Sequence, residues 1–229
     1  MSAPLVVFDL DGTLIDTAHD LVASLNHTIG LEGLEPVGYG DLTYLVGHGG
    51  QVMIKRAFAL RGREISDGDL QRMLAIFVEH YSNAMPGVSV PYPGLADAMD
   101  RLDGAGYRLA VCTNKLEGLA RRLIEGLGLS ARFAAITGGD TFPVRKPDAE
   151  HLLGTVRLAG ADPRRTVMIG DSLNDMLVAR NAGVPSIGVP FGYSDVPVAD
   201  LEPDHVIAHF DELTPGLVER LIAPRPSME

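Results

Sequence analysis

Short, unbroken apolar runs recur along the chain, each followed by a polar loop. Leu5-Val6-Val7-Phe8 stops at Asp9, and Tyr107 to Cys112 stops at Thr113. Ala134 to Ile136, Thr166 to Ile169 and Pro185 to Val189 follow the same plan. Runs of this length, without polar alternation, predict strands covered on both faces, as in parallel sheets. Helical patterns lie between them near 94–105, 116–128, 148–160, 173–182 and 211–222. Strands alternating with helices predict an α/β fold with a doubly wound parallel sheet. Ligands in such sheets bind beyond the carboxyl ends of the strands.

The alternation breaks early. From Thr17 to about Pro86 the pattern predicts no strand, and helical periodicity takes over in 17–30, 49–60 and 67–84. In the last of these, Leu70, Met73, Leu74, Phe77, Val78 and Tyr81 form one apolar face at three- and four-residue spacing, read as helix packing rather than a binding surface. Pro86-Gly87 and Pro91-Tyr92-Pro93-Gly94 close the segment like a hinge. The expected organisation is a core formed by 1–16 and 92–229, with a helical module, 17–91, inserted above the strand ends.

Composition narrows the partners. A net charge of -11 over 229 residues argues against nucleic acid and anionic membrane, which need basic stripes. The single cysteine, Cys112, lies in an apolar run, which predicts a small core residue and excludes an internal disulfide. A reducing, cytoplasmic setting is therefore expected, with no signal peptide and no membrane span. The acidic surface is compatible with a monomer or a homodimer.

The polar residues at the run ends carry the chemistry. Asp9-Leu10-Asp11-Gly12-Thr13 sets two carboxylates around a turn, where Gly12 permits close approach of a ligand. One acid can attack or bind a metal while the other moves a proton. Thr113-Asn114 offers a hydroxyl and an amide to a phosphoryl oxygen. In Arg145-Lys146-Pro147-Asp148, Pro147 is expected at the first helical position, holding Lys146 extended with its ammonium free for an anion. Gly170-Asp171-Ser172-Leu173-Asn174-Asp175 adds two acids four residues apart. Acids converging on one sheet edge repel unless a cation joins them, and oxygen ligands suit magnesium. Taken singly, each motif is also a reasonable turn or helix cap. Independent caps do not predict their convergence at one edge.

In this order the motifs resemble those of the haloacid dehalogenase-like hydrolases, and the helical insertion resembles that family's cap. Val46-Gly47-His48-Gly49-Gly50, Gly138 to Asp148 and Phe191-Gly192-Tyr193-Ser194-Asp195 are similar to runs in its phosphoglycolate phosphatases. The resemblance implies a magnesium-dependent phosphatase acting on a small phosphate ester, with Asp9 as nucleophile and Asp11 as general acid and base. It implies a metal bound by Asp9, Asp171 and the Asp11 carbonyl. Lys146, Thr113 and Asn114 would neutralise the phosphoryl group, with Asp175 and Ser172 in support. Substrate choice falls to the insertion, where His48 and Gly49 could close over the ligand and Lys55 or Arg56 could meet a carboxylate. Dehalogenases proper lack an acid at the position of Asp11. A phosphosugar mutase or a pyrophosphatase of the same family is the alternative; a non-catalytic binding protein fits poorly with four intact motifs.

Overall fold

The structure, a computed structural model, describes residues 2–41 and 49–223. Its centre is a six-stranded parallel sheet. β1 (Leu5–Phe8) lies between β4 (Arg108–Cys112) and β6 (Thr166–Gly170). β5 (Ala135–Thr137) flanks β4, while β7 (Ser186–Gly188) and β8 (His205–Val206) follow β6. Strand geometry sends alternate side chains to opposite faces. Val6 and Phe8 thus join Leu109, Val111 and Ile169 against α4 (Leu95–Gly104), α5 (Glu117–Gly126) and α8 (Pro215–Ile222). Leu5 and Val7 join Ala110, Cys112 and Met168 against α6 (Ala149–Leu158) and α7 (Leu173–Ala182). Burial on both faces explains why these strands carry unbroken apolar runs.

The helical insertion comprises α1 (Ala18–Gly30), α2 (Gly50–Leu60) and α3 (Asp67–Ala84). They pack through Leu25, Ile29, Ile54, Phe58, Leu70, Met73 and Phe77. Two short antiparallel strands, β2 (Ile15–Asp16) and β3 (Val90–Pro91), carry the chain out of the core and back side by side. Asp20 at the start of α1 accepts bonds from Ser89 N at 2.8 Å and Val88 N at 3.2 Å, tying the two crossings together.

Two local expectations need correction, and three short strands went unpredicted. The helix expected over 211–222 begins only at Pro215, because Thr214 caps it by accepting from Leu217 N; residues 210–212 form a separate 3-10 turn. Pro147 does not open α6. Asp148 is the cap, accepting from Glu150 N at 2.9 Å, and Pro147 precedes it. β2, β3 and β8 span two residues each, too short to leave a periodic signal. No helix among the described residues is long and apolar enough to cross a membrane.

Candidate active site

β1 is the switch point of the sheet: the chain continues to β4 on one side and β6 on the other, opening a crevice at their carboxyl ends. Asp9 stands there, its amide bonded to Ile169 O at 2.9 Å, so the β1–β6 pairing sets its position. Lys146 arrives from the loop before α6 and sits 2.8 Å from Asp9 Oδ1 and 2.6 Å from Asp175 Oδ1. All three side chains are buried. Burial alone would lower the Lys146 pKa, but Asp175 and Asp9 outweigh it and hold the ammonium above the ordinary lysine range. Asp9 moves the other way. Burial pushes it up to about 6, with Lys146 opposing and Asp175 adding repulsion.

Asp175 accepts three hydrogen bonds from the protein. Oδ1 takes Lys146, and Oδ2 accepts from Ser172 N at 3.0 Å and Ser172 Oγ at 2.6 Å. Asp175 therefore orients Lys146, and Ser172 orients Asp175.

Asp171 accepts from Thr13 Oγ1 at 2.9 Å and from Tyr193 N at 2.7 Å. Glycines on two sides make room for it. A Cβ on Gly12 would lie 2.6 Å from Asp171 Oδ2, and one on Gly192 would lie 2.2 Å away. Gly12 also has φ +82, a backbone region that side chains disfavour. Burial, then Asp175 and Asp9, push the Asp171 carboxyl up to about 8.

Oxygens of Asp9, Asp171 and Asp175 lie within 4.8 Å of one another. Asp9 Oδ1 is buried with no hydrogen-bond donor besides its ion pair to the lysine. Carboxylates gathered this closely, with the pKa values of Asp9 and Asp171 raised and one orphaned oxygen, fit a hard divalent cation bound through oxygen. Asp175 already accepts three bonds from the protein and Asp171 two, so Asp9 and Asp171 have more acceptor capacity to offer a cation.

The second motif behaves differently from expectation in one respect. Thr113 is buried beside β1, and its Oγ1 accepts from Lys115 N at 3.2 Å. Asn114 Nδ2 donates to Lys146 O at 3.1 Å, which ties the two loops together and commits one of its two N–H groups. His151 supports the same loop by accepting from Lys146 N at 3.0 Å; burial, then Lys146, pull its pKa down to about 4 and keep it neutral. Burial pushes the Cys112 thiol up to about 11, consistent with a core residue.

Above these groups lies a cavity of about 110 Å³ between the strand ends and the helical insertion. Asp9, Asp11, Thr113, Asn114 and Lys115 line it from the core, and Leu21, Met53, Leu74, Phe77 and Tyr81 from the helices. The apolar face of α3, expected only to pack, therefore also walls the cavity. Asp11 accepts from Thr17 Oγ1 at 2.7 Å and pairs with Lys115 Nζ at 2.9 and 3.1 Å. Lys115 also donates to Tyr81 OH at 3.0 Å. Gly49 borders the cavity, while Arg56 is not among its lining residues and Lys55 is exposed, 3.8 Å from Asp67. His48 lies outside the described residues.

Sequence reasoning missed Lys115, Tyr81, Tyr193 and His151. The signal for Lys115 was present: it is the next residue in the Thr113-Asn114 loop, a cation at a strand end. Tyr193 stood in the family-like run 191–195, but nothing local in the sequence gave it a role. Its hydroxyl donates to Asp16 Oδ1 at 2.5 Å and accepts from Thr17 N at 2.8 Å and Ala18 N at 3.0 Å, contacts about 176 positions away in sequence.

Comparison with known proteins agrees with this geometry. A phosphoglycolate phosphatase of Agrobacterium fabrum is 60% identical over 96% of this chain and 95% of its own length. One from Mesorhizobium japonicum is 52% identical over 97% and 98% of the two chains. A crystal structure of a predicted phosphoglycolate phosphatase from Haemophilus somnus 129pt superposes with a TM-score of 0.84 at 27% identity, covering 91% of this chain and 95% of that one. The model of the haloacid dehalogenase-like hydrolases matches residues 6–189, spanning all four motifs, and the chain belongs to that family.

Proposed function

We propose that this protein is a magnesium-dependent phosphatase that hydrolyses a small phosphomonoester, 2-phosphoglycolate first among them, through a covalent phosphoryl group on Asp9. The observation that carries the reading is the buried Asp9–Lys146–Asp175 chain at the floor of a small cavity, beside a third acid, Asp171, cradled by glycines. The substrate follows from the relatives, which are named phosphoglycolate phosphatases.

In this reading Asp9 attacks phosphorus and the alcohol leaves. Lys146, held by Asp175, neutralises Asp9 and a phosphoryl oxygen, so that two anions can meet. Thr113 Oγ1 and the remaining Asn114 N–H donate to the same group, the positioning that phosphoryl transfer depends on. Asp11 gives a proton to the leaving oxygen and later takes one from the water that releases phosphate. Asp9, Asp171 and the Asp11 carbonyl would hold magnesium, which when bound offsets phosphate charge. Residues 17–91 act as a lid over the cavity and exclude water during the transfer. The setting is cytoplasmic.

The experiment is phosphate release with magnesium across 2-phosphoglycolate, sugar phosphates, nucleotides and pyrophosphate. The reading expects 2-phosphoglycolate to give the highest kcat/KM. A best rate on pyrophosphate, or return of the phosphoryl group to a sugar without free phosphate, overturns it.

A further inference from the structure

The proposed chemistry uses every buried charged group at the cavity except Lys115. This side chain is enclosed, with 4% of its surface exposed, and its neighbours in the cavity wall are mainly apolar. Taking an ammonium out of water is costly unless an anion and polar partners replace the water. Here Asp11 and the Tyr81 hydroxyl supply them, and the ammonium also lies 4.3 Å from the centre of the Tyr81 ring. A carboxylate thus already occupies the ammonium, held at 2.9 and 3.1 Å through both oxygens.

We infer that Lys115 is the specificity-determining residue for the leaving half of the substrate and receives a carboxylate carried by the phosphorylated alcohol. This rests on the reading of Asp9 and Lys146 as the phosphoryl end of the cavity. Lys146 serves Asp9 and Asp175, so it is committed to that end. Among the described residues that line the cavity, the cations are Lys115 and Arg145. Arg145 is exposed, and water competes for its charge; Lys115 is enclosed, where a charge pair discriminates strongly. Lys115 follows Thr113 by two residues as Asp11 follows Asp9, in the loops that leave the paired strands β4 and β1, so the ammonium stands at the same sheet edge as the nucleophile. The cavity is small, so a carboxylate on the carbon that bears the ester oxygen meets Lys115, whereas a neutral alkyl group leaves it with Asp11 and Tyr81. Tyr81 comes from α3 and places the lid in contact with the same ammonium.

The test compares 2-phosphoglycolate with ethyl phosphate, in which a methyl group replaces the carboxylate. The readout is the ratio of their kcat/KM values, in which losses common to both substrates, including partial misfolding, cancel. Wild type favours 2-phosphoglycolate, and Lys115→Met lowers the ratio by about 100-fold, as expected when one partner of an enclosed charge pair is removed. Tyr81→Phe keeps the ring and removes only the shared hydroxyl; it lowers the ratio several-fold and decides the matter if Lys115→Met does not fold. If both substrates slow together and the ratio holds in the variants that fold, Lys115 is structural and the inference falls. It also falls if Arg145→Gln, and not Lys115→Met, collapses the ratio. A wild type that hydrolyses both esters equally removes the 2-phosphoglycolate reading itself, a result distinct from either.

Discussion

The floor of the cavity and its roof use the same kinds of residue to different ends. At the floor, Asp9, Lys146 and Asp171 come from loops that follow β1, β5 and β6, Asp175 comes from the first turn of α7, and each is fixed by other core residues. Toward the roof, Lys115 rises from the core and is shared between Asp11 of the core and Tyr81 of the helical insertion. A floor bonded only within the core keeps its geometry whatever the insertion does. A roof bonded across the two can change with it. Chemistry that must be accurate belongs to the first arrangement, and recognition that must open and close belongs to the second.

The strongest test of the floor is Asp9→Asn, which is expected to lower kcat by about 10,000-fold or more, as loss of a nucleophile does, while unfolding stays cooperative. Substantial turnover by the purified variant would end the nucleophile assignment. Lys146→Met comes next. It leaves Asp9 and Asp175 buried without their cation, which costs about 3–5 kcal/mol of stability. For a chain of this size that lowers Tm by roughly 10 °C, measurable by calorimetry. A wild-type Tm would mean that the floor is not held by this pair, and the contrast with the roof would be lost.

A smaller effect separates the metal from the protein's own charges. Without a cation, the folded-state pKa values of Asp9 and Asp171 lie above the free-acid value of 3.8, at about 6 and about 8. Their contribution to stability is then complete below about pH 4 and is lost as pH rises through about 6 and then about 8. Bound magnesium compensates the ionised carboxylates and removes that loss. The Tm difference between magnesium and EDTA is therefore expected to widen from pH 5 to pH 8. At magnesium about 100-fold above its Kd the gain is about 2.7 kcal/mol, or roughly 5–10 °C. A difference independent of pH would separate the metal from these two acids.

The floor was legible in the sequence because its parts sit where apolar runs end. A strand buried on both faces leaves an unbroken run, so its end is visible, and the residue just past it points into the crevice. Asp9, Thr113 and Asp171 were found that way. The roof was not legible. Tyr81 belongs to an apolar stripe that also packs α3 on its neighbours, so its pattern is that of any core helix. Arg56 and Lys55 looked suitable on charge, yet neither lines the cavity, because helical position and not composition decides which cation turns inward. Lys146 lies beside Asp9, as the strand-end pattern led one to expect, but it is held there differently. Its neighbours Asn114 and His151, through bonds to its backbone, hold the loop, and Asp148 starts the helix that Pro147 was expected to open.

Tyr193 joins floor and roof, and it yields the smallest of these effects. Its backbone N–H serves Asp171, while its hydroxyl accepts the first amides of α1 and donates to Asp16 at the exit to the insertion. Thr17, at the start of that helix, makes no side-chain cap, so the tyrosine hydroxyl takes over a task that a capping side chain usually performs. Tyr193→Phe removes the hydroxyl and keeps both the ring and the backbone bond to Asp171. The expected cost is about 1 kcal/mol, a fall in Tm of about 2–4 °C, with magnesium affinity unchanged in a titration followed by calorimetry. If magnesium binding weakened along with Tm, the hydroxyl would be holding Asp171 in place through the ring, and floor and roof would be one mechanical unit rather than two.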